Sequence, residues 1–263
     1  MRTLPIALTL AGSDSGGGAG VQADLKTFAA LGVHGTCAIT CLTAQNPKGV
    51  AAIQAATPAL VRAQIEAVFA ELRPAAVKTG MLFNTAIIRE VAGFFHTLRG
   101  PKPPLIVDPV MVATSGARLL KPAALRALQS ELLPLATLVT PNLDEAQILV
   151  GAKLRSLDDL RAAARAIHAR FGCAALVKGG HLRGARDAVD VFFDGKQELL
   201  LTAPFVRGVA THGTGCTYSA AIAAHCARGH DLAKSVRFAK KFITRAIADS
   251  YRIGPHSALN PLA

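Results

Sequence analysis

His212-Gly213-Thr214-Gly215-Cys216 runs directly into Thr217-Tyr218-Ser219-Ala220-Ala221-Ile222-Ala223-Ala224, and the fold of this chain turns on how that stretch is read. Two glycines permit a sharp turn and a close backbone approach, and the alanine-rich run behind them is a good helix former. The segment reads as a loop entering a helix N-terminus, where unpaired N–H groups and the positive end of the helix dipole converge on an anion. Cys216 is the nucleophilic or basic side chain at that point. Taken alone, the same residues also describe a tight turn around a small buried cysteine.

The rest of the chain supplies the context. With 263 residues and 51% hydrophobic content it can bury one sizeable core, and no polar linker divides it, so a single domain over 1–263 is expected. The net charge of +12 admits nucleic acid, an anionic membrane or an acidic small molecule as partner. The basic residues are scattered, densest at Arg155 to Arg170 and Arg228 to Arg245, where they alternate with Ala and Leu as on a solvated helix face. With no Trp, two Tyr and no basic-aromatic interleaving, nucleic acid is not expected. No apolar run approaches the length of a membrane span, and Leu4 to Ala11 reads better as a buried first strand than as a signal peptide. Five cysteines, at 37, 41, 173, 216 and 226, form no CxxC, which suits a reducing cytoplasm; Cys37 and Cys41 are expected in the core.

In chain order, short apolar runs alternate with helical segments. Leu4 to Ala11 ends in Gly12-Ser13-Asp14-Ser15-Gly16-Gly17-Gly18-Ala19-Gly20 before an amphipathic stretch from Val21 to Leu31: strand, glycine loop, helix. This loop has neither the Gly-Lys-Ser/Thr ending of a P-loop nor the G-x-G-x-x-G register of a dinucleotide site. It can still contact a ligand through its backbone, with Gln22 and Asp24 as candidate hydrogen-bonding side chains. Thr36 to Ala44 is the next strand, and Thr57-Pro58 opens a helix running to about Leu72. Ala75 to Met81, Leu105 to Met111, Thr137 to Asn142 and Ala174 to Gly180 repeat the pattern of a short strand running into a glycine or polar terminus, with helices near Asn84 to Leu98 and Pro122 to Leu133 among them. Val189 to Asp194 and Gln197 to Thr202 flank Gly195-Lys196 as a β-hairpin. Such alternation predicts a mostly parallel α/β sheet whose ligands gather at the strands' carboxyl ends, near Gln45, Met81, Asp108, Asn142 and Lys178.

Taken together, these strand ends resemble the ribokinase-like superfamily and, within it, the hydroxymethylpyrimidine/phosphomethylpyrimidine kinases of thiamine synthesis. The resemblance is carried by Ala11 to Thr27, Thr43-Ala44-Gln45-Asn46, Lys78-Thr79-Gly80-Met81-Leu82, Val107-Asp108-Pro109-Val110-Met111, Thr140-Pro141-Asn142-Leu143-Asp144-Glu145-Ala146, Val177-Lys178-Gly179-Gly180-His181 and Thr211 to Thr217, in the family's order along nearly the whole chain. It implies a three-layer ribokinase-like sandwich, a mostly parallel sheet flanked by helices, with the small hairpin near 189–202. It further implies an ATP- and Mg²⁺-dependent kinase, with neither nucleic acid nor membrane as partner, acting on a small pyrimidine as a cytoplasmic homodimer.

Residue by residue, the resemblance makes Gly213, Thr214, Gly215 and Cys216 the anion hole for the transferred phosphoryl group and Cys216 also the base, with a low-pKa thiol expected at the helix N-terminus. Lys178, Asn142, Thr140 and Asp108 fall on the nucleotide side, and Glu145 with Asp108 on the metal. Gly12, Asp24, Gln45, Met81 and Val110 match the pyrimidine pocket: Asp24 and Gln45 would read the aminopyrimidine edge, and Met81 and Val110 would sandwich the ring. Thr114, Ala117 and Ala210 depart from residues common among the relatives. Pyridoxal or pyridoxine kinase is the alternative activity, since both substrates are methylated heteroaromatic rings with a hydroxymethyl arm. A Cys216-His212 hydrolase pair and a non-catalytic binding module are further alternatives.

Overall fold

The computed structural model describes residues 3–111, 120–180, 182, 187–206 and 212–262, so Thr114, Ala117 and Ala210 lie outside the described residues, as do His181 and Thr211. In chain order come β1 (Ile6–Asp14), α1 (Gly20–Ala30), β2 (His34–Asn46), β3 (Gly49–Ala55), α2 (Pro58–Glu71), β4 (Ala76–Thr79), α3 (Thr85–Thr97), β5 (Leu105–Val107) and α4 (Pro122–Ala127). There follow β6 (Leu138–Val139), α5 (Leu143–Val150), α6 (Leu157–Phe171), β7 (Ala174–Lys178), β8 (Asp187–Phe193), β9 (Glu198–Pro204), α7 (Thr214–Ala227), α8 (Leu232–Ala248) and a small hairpin of β10 (Tyr251–Ile253) and β11 (His256–Ala258).

Nine strands form one sheet in the order β3-β2-β1-β4-β5-β6-β7-β8-β9. The pairings from β2 through β7 are parallel, and antiparallel strands close each flank: β3 on β2, and β8 then β9 on β7. Because successive side chains on a strand point to opposite faces, the apolar strands feed two cores. Leu8, Leu10, Val77, Leu105, Val107 and Val139 pack with α2 to α6 on one side. Ala7, Ala76, Ile106, Leu138, Leu176 and Phe192 pack with Phe28 of α1 and with α7 and α8 on the other. This is the three-layer arrangement that the family resemblance implied, built on the mostly parallel sheet expected from the alternation, and the hairpin appears where the Gly195-Lys196 turn places it.

Local signals account for most boundaries. Thr57 caps α2, accepting from the Leu60 N–H, with Pro58 in the first turn, and Asn84 caps α3 through the Ile87 N–H. The segment expected as one helix from Pro122 to Leu133 is regular only to Ala127 and then widens through a π-turn into a 3₁₀ turn, because Pro134 has no N–H for the helical ladder. The strand β3 was not expected. Its sequence, Gly-Val-Ala-Ala-Ile-Gln-Ala, lies at the sheet edge with little of it covered, so no burial pattern marks it. The parallel strands all end on the same edge of the sheet, and their ends deliver Asp14, Asn46, Thr79, Val107, Val139 and Lys178 to one rim.

Candidate active site

A single cavity of about 630 Å³ runs along that rim. Its first wall is the glycine loop after β1. The Asp14 carboxylate folds back into this loop: Oδ1 accepts from the Gly16 N–H at 2.8 Å, and Oδ2 accepts from the Gly18 and Ala19 N–H groups at 3.1 and 2.8 Å. Burial works to raise the Asp14 pKa, but His212 and these backbone donors outweigh it and hold the carboxyl below its ordinary value. Three N–H groups expected to be available to a ligand are therefore taken by the protein's own anion.

Opposite stands the Gly213 turn. Gly213 is left-handed (φ 82°), and a Cβ built on it would lie 1.8 Å from the Gly18 carbonyl oxygen, so the two loops touch at a point where no side chain fits. The first helical bond of α7 runs from the Thr217 N–H to the Gly213 carbonyl, at 2.9 Å. The N–H groups of Thr214, Gly215 and Cys216 consequently point out of the helix end, and all three residues line the cavity. His212 does not pair with Cys216. Its Nε2 lies 3.4 Å from both Asp14 Oδ2 and Gln45 Nε2, which removes the geometry of a Cys-His hydrolase.

The Cys216 thiol is not acidic in this setting. Burial pushes it up to about 11; Lys78 lowers it, and the Asp24 and Asp108 carboxylates oppose that pull. The expected low-pKa thiol is thus corrected. A helix N-terminus favours a thiolate by a modest amount, whereas desolvation among carboxylates works the other way and dominates.

The far wall is charged. Lys178 at the end of β7 places Nζ 3.4 Å from Asp108 Oδ1, and Ser219 of α7 donates to Asp108 Oδ2 at 3.3 Å. Thr140 is buried behind Asp108, its hydroxyl 3.5 Å from Oδ1, and does not line the cavity. Burial disfavours the Lys178 charge, but Asp108 and Glu145 more than compensate and hold its pKa above the ordinary lysine value. Asn142 and Glu145 form a capping box on α5: Asn142 Oδ1 accepts the Glu145 N–H at 2.9 Å, and Glu145 Oε2 accepts the Asn142 N–H at 3.0 Å. The other oxygen, Oε1, accepts the Met111 N–H at 3.0 Å, tying α5 to the loop after β5. Burial is the main reason the Glu145 carboxyl is raised to about 7; Lys178 lowers it and Asp108 raises it further.

The cavity is also lined by Gly12, Gln45, Met81 and Val110. A Cβ on Gly12 would sit 2.7 Å from Cys41 Sγ and 3.0 Å from Met81 Cε, so the glycine leaves room for those two side chains. Val110 holds φ 43°, a costly conformation for a β-branched residue and one that marks a constrained site. Asp24 is the exception among the expected pocket residues. It is fully buried, does not line the cavity, and binds Lys78 Nζ through both oxygens at 3.0 and 2.8 Å while accepting the Thr9 hydroxyl. Position one turn inside α1 suggested a ligand contact; the helix instead turns that face toward the sheet.

The sequence reading assigned no role to Lys78 or to the Asp190–Lys240 pair. Asp190 accepts Lys240 Nζ at 2.7 Å and the Gly179 N–H at 3.1 Å, which fixes the backbone next to Lys178. A charged residue inside an apolar strand, as in Ala75-Ala76-Val77-Lys78, is the signal that finds such groups, because a buried charge needs a partner.

A parallel α/β sheet with glycine-turn helix ends, a lysine and two carboxylates around one cavity defines a small-molecule phosphotransferase-type site. The family described as phosphomethylpyrimidine kinase matches residues 14–261, and the chain belongs to it. It is 49% identical over 251 residues to a hydroxymethylpyrimidine/phosphomethylpyrimidine kinase of Synechococcus elongatus, covering 95% of this chain and 94% of the relative. Among solved structures, it is 40% identical to a phosphomethylpyrimidine kinase from Clostridium difficile 630 (TM-score 0.82, covering 93% of this chain and 100% of the other). It is 36% identical to a Bacillus subtilis pyridoxal kinase solved as an ADP complex (TM-score 0.88, 99% of each chain).

Proposed function

We infer that this chain is an ATP-dependent kinase, one domain over 1–263, that phosphorylates 4-amino-5-hydroxymethyl-2-methylpyrimidine and then its monophosphate in thiamine synthesis. The observation that carries this reading is one cavity lined at once by Gly12, Gln45, Met81 and Val110, by the Gly213–Cys216 helix end and by Lys178, Asn142 and Glu145. A flat ring held among Gly12, Gln45, Met81 and Val110 would present its hydroxymethyl arm to the helix end, and phosphates would lie along the charged wall.

The roles follow from chemistry. Gln45 offers an amide to the ring's polar edge, and Met81 and Val110 offer apolar contact to its faces. The outward N–H groups of Thr214, Gly215 and Cys216 stabilise charge on the transferred phosphoryl group. As the substrate oxygen bonds to phosphorus, the bond from phosphorus to the leaving oxygen breaks and the hydroxyl proton passes to the Cys216 sulfur in its thiolate form. Lys178, with Asn142 on the wall beside it and Thr140 behind Asp108, neutralises nucleotide phosphates.

The donor set also suits Mg²⁺. Asp108 and Glu145 present hard oxygens on one wall, and among the described residues no group of three or more His, Cys, Asp or Glu forms a closed metal cage. Mg²⁺ characteristically takes one or two carboxylates together with phosphate oxygens and water. Bound there, it would offset charge on the phosphates.

No helix among the described residues is long and apolar enough to cross a membrane. We further propose a cytoplasmic homodimer, checked by sedimentation at micromolar protein. The deciding assay is side-by-side phosphorylation of the pyrimidine alcohol, its monophosphate, pyridoxal and pyridoxine. The reading expects turnover of the first two, and turnover of the vitamin B6 substrates alone would replace it with pyridoxal kinase.

A further inference from the structure

Gln45 is the polar side chain among the residues set against the ring, and its amide has two unlike ends. The oxygen accepts and the nitrogen donates, so the way the amide is turned decides which ring edge it can read. Its backbone is pinned first: the Gln45 N–H donates to Ser15 Oγ at 2.8 Å, and the Ser15 hydroxyl donates to the Gln45 carbonyl at 2.7 Å. One amide end, at the Nε2 position, lies 3.4 Å from His212 Nε2. The other, at the Oε1 position, lies 3.2 Å from Thr43 Oγ1. Asp14, Thr43, Gln45 and His212 all line the cavity.

Counting protons in this group settles the turn of the amide. His212 Nε2 also lies 3.4 Å from Asp14 Oδ2. Asp14 is ionised, because burial is outweighed by His212 and the N–H groups of the glycine loop, and a carboxylate only accepts. His212 Nε2 must therefore carry a proton, and an amide nitrogen facing it would set donor against donor. Thr43 gives the same answer independently. Its hydroxyl has a single proton, which goes to the Ser13 carbonyl at 2.8 Å. Only a lone pair is left for the Gln45 end beside it, where an amide oxygen would set acceptor against acceptor. Turning the amide over removes both conflicts, with oxygen beside the His212 N–H and nitrogen beside the Thr43 lone pair.

We propose that His212, itself oriented by Asp14, is a specificity-determining positioning residue: with Thr43 it locks the Gln45 amide with Oε1 toward His212 and Nε2 toward Thr43. One lone pair of that oxygen and one N–H of that nitrogen remain for a ligand, side by side. They match a ring edge bearing an exocyclic amino group next to an unprotonated ring nitrogen. They mismatch an edge that turns an acceptor to the oxygen, such as a ring aldehyde. The identity of the ring rests on the pyrimidine reading, whereas the orientation of the amide stands on contacts within this chain.

The experiment compares kcat/KM for 4-amino-5-hydroxymethyl-2-methylpyrimidine with that for the analogue carrying hydrogen in place of the amino group. His212→Phe keeps a flat ring and removes the N–H. His212→Gln returns a donor, since a glutamine amide nitrogen stands as many bonds from the backbone as histidine Nε2. The Phe variant should lose about tenfold on the amino compound beyond any loss on the analogue, the effect of one mispaired hydrogen bond, and the Gln variant should recover most of that difference. Equal losses on the two compounds would make His212 a merely structural residue and overturn the proposal. A second measurement needs neither a variant nor a substrate: nitrogen-15 NMR of the wild-type protein at pH 8 should find a proton on His212 Nε2. A bare Nε2 with the proton on Nδ1 would overturn the lock. Failure of the wild type to phosphorylate either pyrimidine would instead refute the pyrimidine reading, and the nitrogen-15 spectrum would still decide the orientation of the amide.

Discussion

Glu145 ties the charge of the site to the stability of the fold, in a way that acid titration can measure. Its carboxyl is lifted from an ordinary 4.5 to about 7 inside the capping box, chiefly by burial. At about 1.4 kcal/mol for each tenfold change in proton affinity, the protonated form is favoured in the folded chain by about 3 kcal/mol. Because the folded value is the higher one, the sign runs opposite to that of a salt-bridged carboxylate. The contribution is fully present below about 4.5, is lost as pH rises, and is gone above about 7. Between pH 5 and pH 8 it changes by about 2–3 kcal/mol. Glu145→Gln keeps the shape and removes the titration, so the stability gap between wild type and variant should shift by that amount in the variant's favour as pH rises. For a chain of this size the shift corresponds to roughly 5–10 °C in Tm. Urea melts of both proteins at pH 5, 6, 7 and 8, without nucleotide or metal, provide the reading. A gap that stays constant with pH would refute the burial of a titrating carboxyl here. Since a cation at this carboxyl competes with its proton, the Mg²⁺ requirement of the wild-type reaction should also fall from pH 6 to pH 8.

Four further outcomes follow from the site. Gly213→Ala puts a Cβ 1.8 Å from the Gly18 carbonyl at a left-handed position; it should cost about 2–4 kcal/mol of stability by thermal melt and abolish most turnover, and a variant with wild-type Tm and rate would contradict the loop contact. Lys178→Ala should lower kcat/KM for ATP by about 10- to 1,000-fold with the far-UV circular dichroism spectrum unchanged, and an unaltered ATP dependence would take Lys178 out of the nucleotide site. Cys216→Ala should retain substrate binding and lose turnover by about 10²- to 10⁴-fold, with partial recovery in Cys216→Asp; near wild-type turnover in a folded alanine variant would leave the backbone N–H groups as the motif's contribution. Because the thiol is held up to about 11, wild-type labelling by iodoacetamide should be slow at neutral pH and accelerate steadily toward pH 10.

Sequence by itself determined the architecture and the neighbourhood of the site. Alternating apolar runs and helices specify a parallel sheet, and a parallel sheet sends the residues after each strand to one rim, which is why Gln45, Met81, Asp108, Asn142 and Lys178 are legible in the sequence, whereas Gly12, Val110 and Glu145 are added by the family resemblance. The glycine turn before α7 was legible for the same reason, since backbone conformation and helix onset are set by residues adjacent in the chain. Tertiary structure decided which side chains face the ligand and what charge they carry. Asp24 turns inward because its partner Lys78 lies 54 residues away on another strand. Asp14 fills its own glycine loop, and the Cys216 thiol is raised although its helix end alone would lower it. Strand β3 shows the same limit, since its place was set by pairing with β2 at an exposed edge and no burial pattern recorded it. Desolvation and Coulomb interaction depend on distance through space, and neighbours in space are supplied by parts of the chain that local spacing does not connect.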